Sequence, residues 1–261
     1  MMFAAPLDLA KARILLSNDD GIAAPGLKVL ERALRSLSRD VWIVAPEHEQ
    51  SGAGHSLTLR RPLRIRRLGA RRFAVDGTPT DSVLLGIRQI MRDHPPDLLV
   101  SGINLGANIG EDVTYSGTVA AAMEGTLLQV PSIAVSLAVT HGAAPHWDTA
   151  ARMVLDVAKR LAISSWPANT LMNVNIPNIP VGEVTGIRAC AQGQRRMGDN
   201  LVEGTDPRGQ RFYWVGPNRN ENLAQPDSDI AIVAAGGVAM TPINLDLTHQ
   251  AGLAALKSVF P

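Results

Sequence analysis

The segment LLSNDDG (15–21) sets two carboxylates, Asp19 and Asp20, side by side at the end of an apolar run. Adjacent like charges repel, and two arrangements relieve the repulsion. Either one carboxylate caps the helix that follows while the other faces water, or the pair shares a hard divalent cation such as Mg²⁺ or Mn²⁺. Two further glycine-containing segments carry oxygen ligands that such a cation takes. PEHEQSGAGHS (46–56) holds Ser51, and SGINLGANIGEDVTYSGT (101–118) holds Asn104 and Asn108. The second segment ends in Ser116, Gly117 and Thr118, which open a run of small helix-forming residues. Free N–H groups and the positive end of a helix hold a phosphate at such a place; Ser116 equally suits an ordinary N-cap.

These residues act together only if the fold brings the three segments to one edge. Short apolar runs alternate with stretches of helical period, the pattern of βα units around a parallel sheet. RILLS (13–17) reads as a strand, followed by a helix with Pro25 in its first turn and Leu27, Leu30, Leu34 and Leu37 on one face. VWIVA (41–45) is the next strand. Thr78, Pro79 and Asp81 start a helix whose buried stripe is Val83, Leu84, Ile87, Ile90 and Met91. DLLVS (97–101) and SIAVSL (132–137) read as strands, a helix is expected from about Asp148 to Leu161, and LMNVNIP (171–177) as one more strand. In an open parallel sheet, ligands bind outside the carboxyl ends of the strands, and all three oxygen-rich segments leave such ends.

The 261 residues, 46% hydrophobic, suffice for a substantial core. With 25 basic and 24 acidic residues the net charge is +1, so no overall field favours duplex nucleic acid or an anionic membrane. The longest apolar run, VPSIAVSLAV (130–139), has about half of the roughly 20 residues that a spanning helix requires. The single Cys190 excludes an internal disulfide framework and makes a cytoplasmic location the expectation. Residues 1–12 are expected as a flexible extension, 13–182 as the catalytic core and 183–261 as a C-terminal extension. Within the last, the polar stretch 192–229 is long for a compact domain and is expected to serve function or subunit exchange. The arginine-rich RRPLRIRRLGARR (60–72) reads as an exposed hairpin protected against edge pairing, with a rim for polyanions as the alternative.

Several catalytic signatures are absent. There is no Gly-Lys dipeptide for a Walker loop and no G-x-S-x-G elbow, and Gly52 stands where a zincin helix after His48 and Glu49 needs its second histidine. A covalent aspartyl phosphatase uses D-x-D, whereas here the order is Asp19-Asp20-Gly21.

Taken together, ILLSNDDGIAAPG (14–26), VAPEHEQSGAGHSLT (44–58), GTPTDSV (77–83), PDLLVSGINLGANIGEDVTYSGTVAAAMEG (96–125), NVNIP (173–177) and TDPRG with YW (205–214) resemble the SurE family of metal-dependent survival-protein nucleotidases. The resemblance implies a Rossmann-like three-layer α/β/α core with a mainly parallel sheet, and a C-terminal arm exchanged within a homodimer or homotetramer. It implies one divalent cation, Mg²⁺ or Mn²⁺, held by Asp19, Asp20, Ser51 and Asn104, with Asp19 and Asp20 catalytic. Asn108, Ser116, Gly117 and Thr118, together with Asn18, would then face the phosphate and substrate. The implied reaction is hydrolysis of nucleoside 5'-monophosphates, with 3'-monophosphates and short polyphosphate as further substrates. A nucleotide sensor using the same loops without turnover is the alternative. The chain departs from relatives at NLAQPDSDIAI (222–232), where they carry a glycine-rich stretch before a Thr-Asp pair.

Overall fold

The computed structural model describes residues 2–3, 6–140, 142–197, 201–215, 219–221, 223 and 225–260. The expected strand RILLS is β1 (Arg13–Ser17), and it enters a sheet as apolar on both faces as a central parallel strand requires. Helix α1 (Pro25–Leu34) follows, with proline in its first turn and Leu27, Leu30 and Leu34 buried; Leu37 lies beyond its end. Strand β2 (Asp40–Pro46) leads through the hairpin β3 (Ile65–Gly69) and β4 (Arg72–Val75) to α2 (Pro79–Leu85). The start of α2 is the capping box expected from Thr78 and Asp81: each side chain bonds the other's backbone N–H.

Then come β5 (Leu98–Leu105), α3 (Gly117–Leu127), β6 (Ser132–Ala138), α4 (Trp147–Ala162) and β7 (Thr170–Pro177). After residue 182 the chain forms β8 (Ile187–Ala189), β9 (Arg195–Met197), β10 (Leu201–Thr205), β11 (Arg211–Val215), β12 (Arg219–Glu221), α5 (Asp229–Ala234), β13 (Val238–Asn244) and α6 (Gln250–Lys257).

Nine strands make one sheet in the order β3-β4-β2-β1-β5-β6-β7-β13-β8. From β4 to β7 all neighbours are parallel; β3 joins β4 and β13 joins β7 antiparallel, and β8 lies parallel to β13. Side chains alternate across the sheet. Ile14 and Leu16 pack with α1 and α4 on one face, and Leu15, Val44 and Leu99 with α2 and α3 on the other, giving three layers. Sequence order reverses between β1 and β5. The connections run to opposite faces there and leave a crevice at the carboxyl ends of the two strands.

Three boundaries differ from expectation. Strand β5 does not stop at Ser101 but continues to Leu105, through a register shift between Ser101 and Asn104. Gly102 makes this possible: its φ is +133°, and a Cβ there would lie 2.3 Å from the Val135 carbonyl oxygen. The C-terminal part is not a separate appendage, because β13 and β8 complete the central sheet. The N-terminal extension packs against the core over part of its described residues. Phe3 meets Trp166 edge to face at 5.8 Å, Leu7 N–H donates to the Ala162 carbonyl at 2.7 Å, and Ala12 is buried.

The arginine-rich segment is the exposed edge hairpin β3–β4. Five of its seven arginines are ion-paired nearby: Arg61 and Arg64 with Asp76, Arg66 with Glu47, Arg71 with Asp40, and Arg72 with Glu31. That local neutralisation leaves little field for a distant polyanion. Among the described residues no helix is long and apolar enough to cross a membrane. Part of the polar stretch 192–229 lies outside the described residues. What is described forms two small antiparallel pairs, β10 with β11 and β9 with β12, separate from the main sheet.

Candidate active site

At the crevice between β1 and β5 a cleft of about 500 Å³ is lined by Asp19, Asp20, Ser51, Asn104, Asn108 and Ser116, together with Glu49, Asp112, Leu105 and Tyr115. Thus the three oxygen-rich segments do meet. Asp19 and Asp20 sit where the chain leaves β1, Ser51 on the loop after β2, Asn104 on β5 itself, and Asn108 on the loop that leads to α3.

Each carboxylate is held by groups from a neighbouring element. Asp19 is 5% exposed and accepts from the Thr118 hydroxyl, the Thr118 N–H and its own N–H. Burial raises its pKa, the three donors oppose the rise, and the Glu49 charge adds to it. Asp20 accepts from the Leu105 N–H at the end of β5. Burial, then the Asp19 charge, pushes the Asp20 carboxyl up to about 6. Among the described residues neither carboxylate has a basic partner.

A hard divalent cation fits this donor set. Two carboxylates crowded without a counter-charge are what such an ion neutralises. The Ser51 hydroxyl donates to Glu49 at 2.8 Å, which leaves its oxygen lone pairs for a ligand. The Asn104 side chain donates its amide N–H to the Gly106 carbonyl at 2.9 Å, and so keeps its own oxygen as acceptor. No cluster of three or more His, Cys, Asp or Glu side chains suited to a metal occurs among the described residues. Here the oxygens come from two carboxylates, a hydroxyl and an amide.

The phosphate side is narrower than expected. Ser116 caps α3, its Oγ accepting from the Val119 N–H at 3.1 Å, and it still borders the cleft. Thr118 is fully buried with both its donors on Asp19, and it does not line the cleft. That leaves the Gly117 N–H, among the described residues, as the first-turn donor with no protein acceptor. A Cβ on Gly117 would lie 2.7 Å from the Asp19 Cβ and 3.1 Å from Pro79 Cγ, so only glycine lets α3 approach β1 this closely. Asn18 also turns inward. It is fully buried, its amide donates to the Gly21 carbonyl at 2.9 Å, and it shapes the Asp19-Asp20-Gly21 turn instead of lining the cleft.

Asn108 is fixed from three sides. Its backbone N–H donates to Asn175 Oδ1 at 2.8 Å, its carbonyl accepts from Asn173 and Asn175 at 2.8 and 3.0 Å, and its side-chain amide donates to Ser136 Oγ at 2.7 Å. Sequence spacing does not mark these partners, nor Glu49, Asp112 and Tyr115. The alternation of Asn173 and Asn175 on an otherwise apolar strand was the available signal, since two buried amides on one face require partners. A further tie, His55 Nε2 to Glu124 Oε2 at 3.1 Å, fastens the Ser51 loop to α3.

Known proteins match this chain over most or all of its length. Residues 14–199 match the family model described as survival protein SurE. The chain is 54% identical over 260 residues to the 5'-nucleotidase SurE of Paramagnetospirillum magneticum, covering 100% of each. It is 50% identical over 262 residues to the 5'-nucleotidase SurE of Rhodospirillum rubrum, covering 99% of this chain and 100% of that one. The crystal structure of the SurE protein from Aquifex aeolicus superposes with a TM-score of 0.83 at 40% identity, over 95% of this chain and 100% of its own. With the family model matching residues 14–199 and relatives about half identical over the whole chain, the chain belongs to the SurE family.

Proposed function

We propose that this protein is a divalent-cation-dependent phosphomonoesterase that hydrolyses nucleoside 5'-monophosphates to nucleoside and phosphate. The observation that carries the reading is the convergence of Asp19, Asp20, Ser51 and Asn104 on one cleft beside the start of α3. Those four residues would hold one Mg²⁺ or Mn²⁺. When bound, such a cation neutralises a phosphoryl oxygen and lowers the pKa of a coordinated water.

The chain's own groups do the rest. Thr118 holds Asp19 in one rotamer, and Leu105 N–H does the same for Asp20. The Gly117 N–H, the Ser116 hydroxyl and the Asn108 amide face the phosphate and stabilise charge that builds on its oxygens. Tyr115 and Leu105, each about half exposed at the cleft, give the nucleoside an apolar wall beside the polar end. The relatives named 5'-nucleotidase SurE, about half identical over the whole chain, support the reaction class.

Incubation of the pure protein with AMP and Mn²⁺, with and without EDTA, tests the reading. Phosphate release abolished by the chelator is expected. Saturable AMP binding without release would make the protein a sensor instead. 3'-Monophosphates and short polyphosphate in the same assay define its range.

A homodimer or homotetramer is part of this reading. Helix α6 carries leucines and alanines yet buries none of its residues, and Leu247, Leu256, Val259 and Phe260 beside or within it are exposed. An apolar C-terminal segment of this kind is suited to a second copy of the chain. A cytoplasmic location fits the single cysteine.

A further inference from the structure

The loop that carries Asn108 is gripped a second time, two residues further on, by a carboxylate remote in sequence. Asp229 is fully buried at the start of α5. Its Oδ2 accepts from the Gly110 N–H at 3.0 Å, and its Oδ1 accepts from the N–H groups of Gly193 and Ile230, each at 2.8 Å. The adjoining residues 192–195 add three more ties to the same loop. Gln192 Nε2 donates to the Gly110 carbonyl at 2.7 Å, Arg195 N–H donates to Glu111, and the Arg195 guanidinium pairs with Asp112 at 2.9 Å. Packing is close: a Cβ on Gly110 would lie 2.7 Å from the Arg195 Cβ, and one on Gly193 would lie 2.9 Å from Asp229 Oδ1.

A buried carboxylate with three backbone donors is costly to remove and rigid while it stays. The segment it fixes, residues 108–115, supplies Asn108, Asp112 and Tyr115 to the cleft. None of the residues assigned to the cation lies on that segment. Asp19 and Asp20 follow β1, Ser51 follows β2, and Asn104 precedes the loop on β5.

We propose that Asp229 is a positioning residue for the phosphate side of the cleft. Its carboxylate ties the Asn108–Tyr115 loop to the base of the C-terminal arm, so that turnover depends on that junction while cation binding does not. The proposal rests on the reading that Asn108 faces the phosphate.

The isosteric Asp229→Asn separates the ties. With its oxygen kept on Gly193 and Ile230, its NH₂ faces the Gly110 N–H, and donor meets donor. Expected results are a fall in kcat for AMP of about tenfold, an unchanged half-saturating Mn²⁺ concentration, a Tm within about 4 °C of wild type, and faster amide exchange at Gly110. The control Asp227→Asn, on an exposed neighbour, leaves all four unchanged. Gln192→Ala removes the partly parallel tie and is expected to lower kcat about threefold, again without change in Mn²⁺ dependence; it serves if Asp229→Asn does not fold.

Wild-type kcat in the folded variant overturns the proposal, as does an equal loss of Mn²⁺ affinity. If wild-type protein releases no phosphate at all, the nucleotidase reading fails while the tie is still decided by Gly110 exchange: unchanged exchange in Asp229→Asn overturns it.

Discussion

Thr118 donates both its hydroxyl and its backbone N–H to the carboxylate of Asp19, joining the first turn of α3 to the end of β1 across 99 positions of sequence. A side chain expected at the phosphate is therefore turned to a carboxylate proposed for the cation. Thr118→Val keeps the shape and deletes the hydroxyl, leaving one buried carboxylate oxygen with less support. Loss of a hydrogen bond to a charged, buried group is expected to lower stability by about 1–3 kcal/mol. Mn²⁺ affinity should fall with it, because Asp19 gains rotamers that do not face the cleft. Calorimetric titration with Mn²⁺ beside urea unfolding checks both; unchanged Mn²⁺ affinity in a folded variant would show that Asp19 needs no such support.

The closeness of α3 to β1 predicts an effect of one methyl group. In Gly117→Ala the new Cβ meets the Asp19 Cβ at 2.7 Å, and neither element is free to retreat, since α2 packs behind through Pro79. Overpacking of this kind costs about 1–3 kcal/mol, and displacement of Asp19 should reduce kcat at least tenfold, on the order expected for a misplaced catalytic group. Gly182→Ala, where nothing lies within 4 Å of the added carbon, is the matched control. It is expected to change stability by less than about 0.5 kcal/mol. Thermal midpoints and AMP kinetics of the two variants decide the matter.

Much of this arrangement is legible in the residues, and the exceptions have physical causes. Local chemistry writes RILLS as a strand, Thr78 with Asp81 as a capping box, and Ser116 as a cap, because each depends on neighbours within four positions. Asn104 is different. Gly102 reads as a strand terminator, yet here it lets the backbone pass the Val135 carbonyl and carries the strand on to Leu105. Side-chain direction at Asn18 and Thr118 depends on which groups lie opposite, and those are set by packing of α3 on the sheet rather than by spacing. Asp229 is further from view still, since its Gly110 partner lies 119 residues away.

Acid stability should depend on a charge cluster at the opposite end of β1. Asp40 accepts from Arg13 Nε and from Trp42 Nε1, each at 2.8 Å, and Arg71 lies 3.3 Å away. Burial alone would raise the Asp40 pKa; the hydrogen bonds from Arg13 and Trp42 and the charges of Arg13 and Arg71 outweigh it and hold the carboxyl below its ordinary value. A depressed folded-state pKa stabilises the protein above the unfolded value of about 4, and the contribution is lost as pH falls through the folded value. Asp40→Asn keeps an acceptor for Trp42 and removes the charge. At pH 7 it should be less stable by about 1 kcal/mol, the range of a partly exposed pair. Urea midpoints of wild type and variant should converge below pH 4; a constant gap down to pH 3 would place the stabilisation elsewhere.

The last prediction concerns the two amides of NVNIP. Asn175 forms a closed pair with the main chain of Asn108, accepting from its N–H and donating to its carbonyl, while Asn173 donates to that same carbonyl. Both side chains are fully buried; Asn175 is paired through both its oxygen and its nitrogen, whereas Asn173 Oδ1 has no partner among the described residues. Asn175→Asp preserves the acceptor, exchanges the donor for an oxygen that faces the Asn108 carbonyl, and adds a buried charge. Asn173→Asp leaves the closed pair whole, although it too replaces a donor by an oxygen facing the Asn108 carbonyl and adds a buried charge. If the closed pair sets where the Asn108 side chain stands, the first variant should lose both stability and kcat, the latter by about 100-fold. The second should lose stability by about 1–3 kcal/mol with a smaller change in kcat. Because Asn108 is proposed to face phosphate and not the cation, half-saturation by Mn²⁺ should stay near wild type in both. Kinetics at saturating Mn²⁺, with denaturation curves on the same preparations, separate these outcomes. Equal kcat in the two variants would mean that the loop, and not the closed pair, holds Asn108 in place.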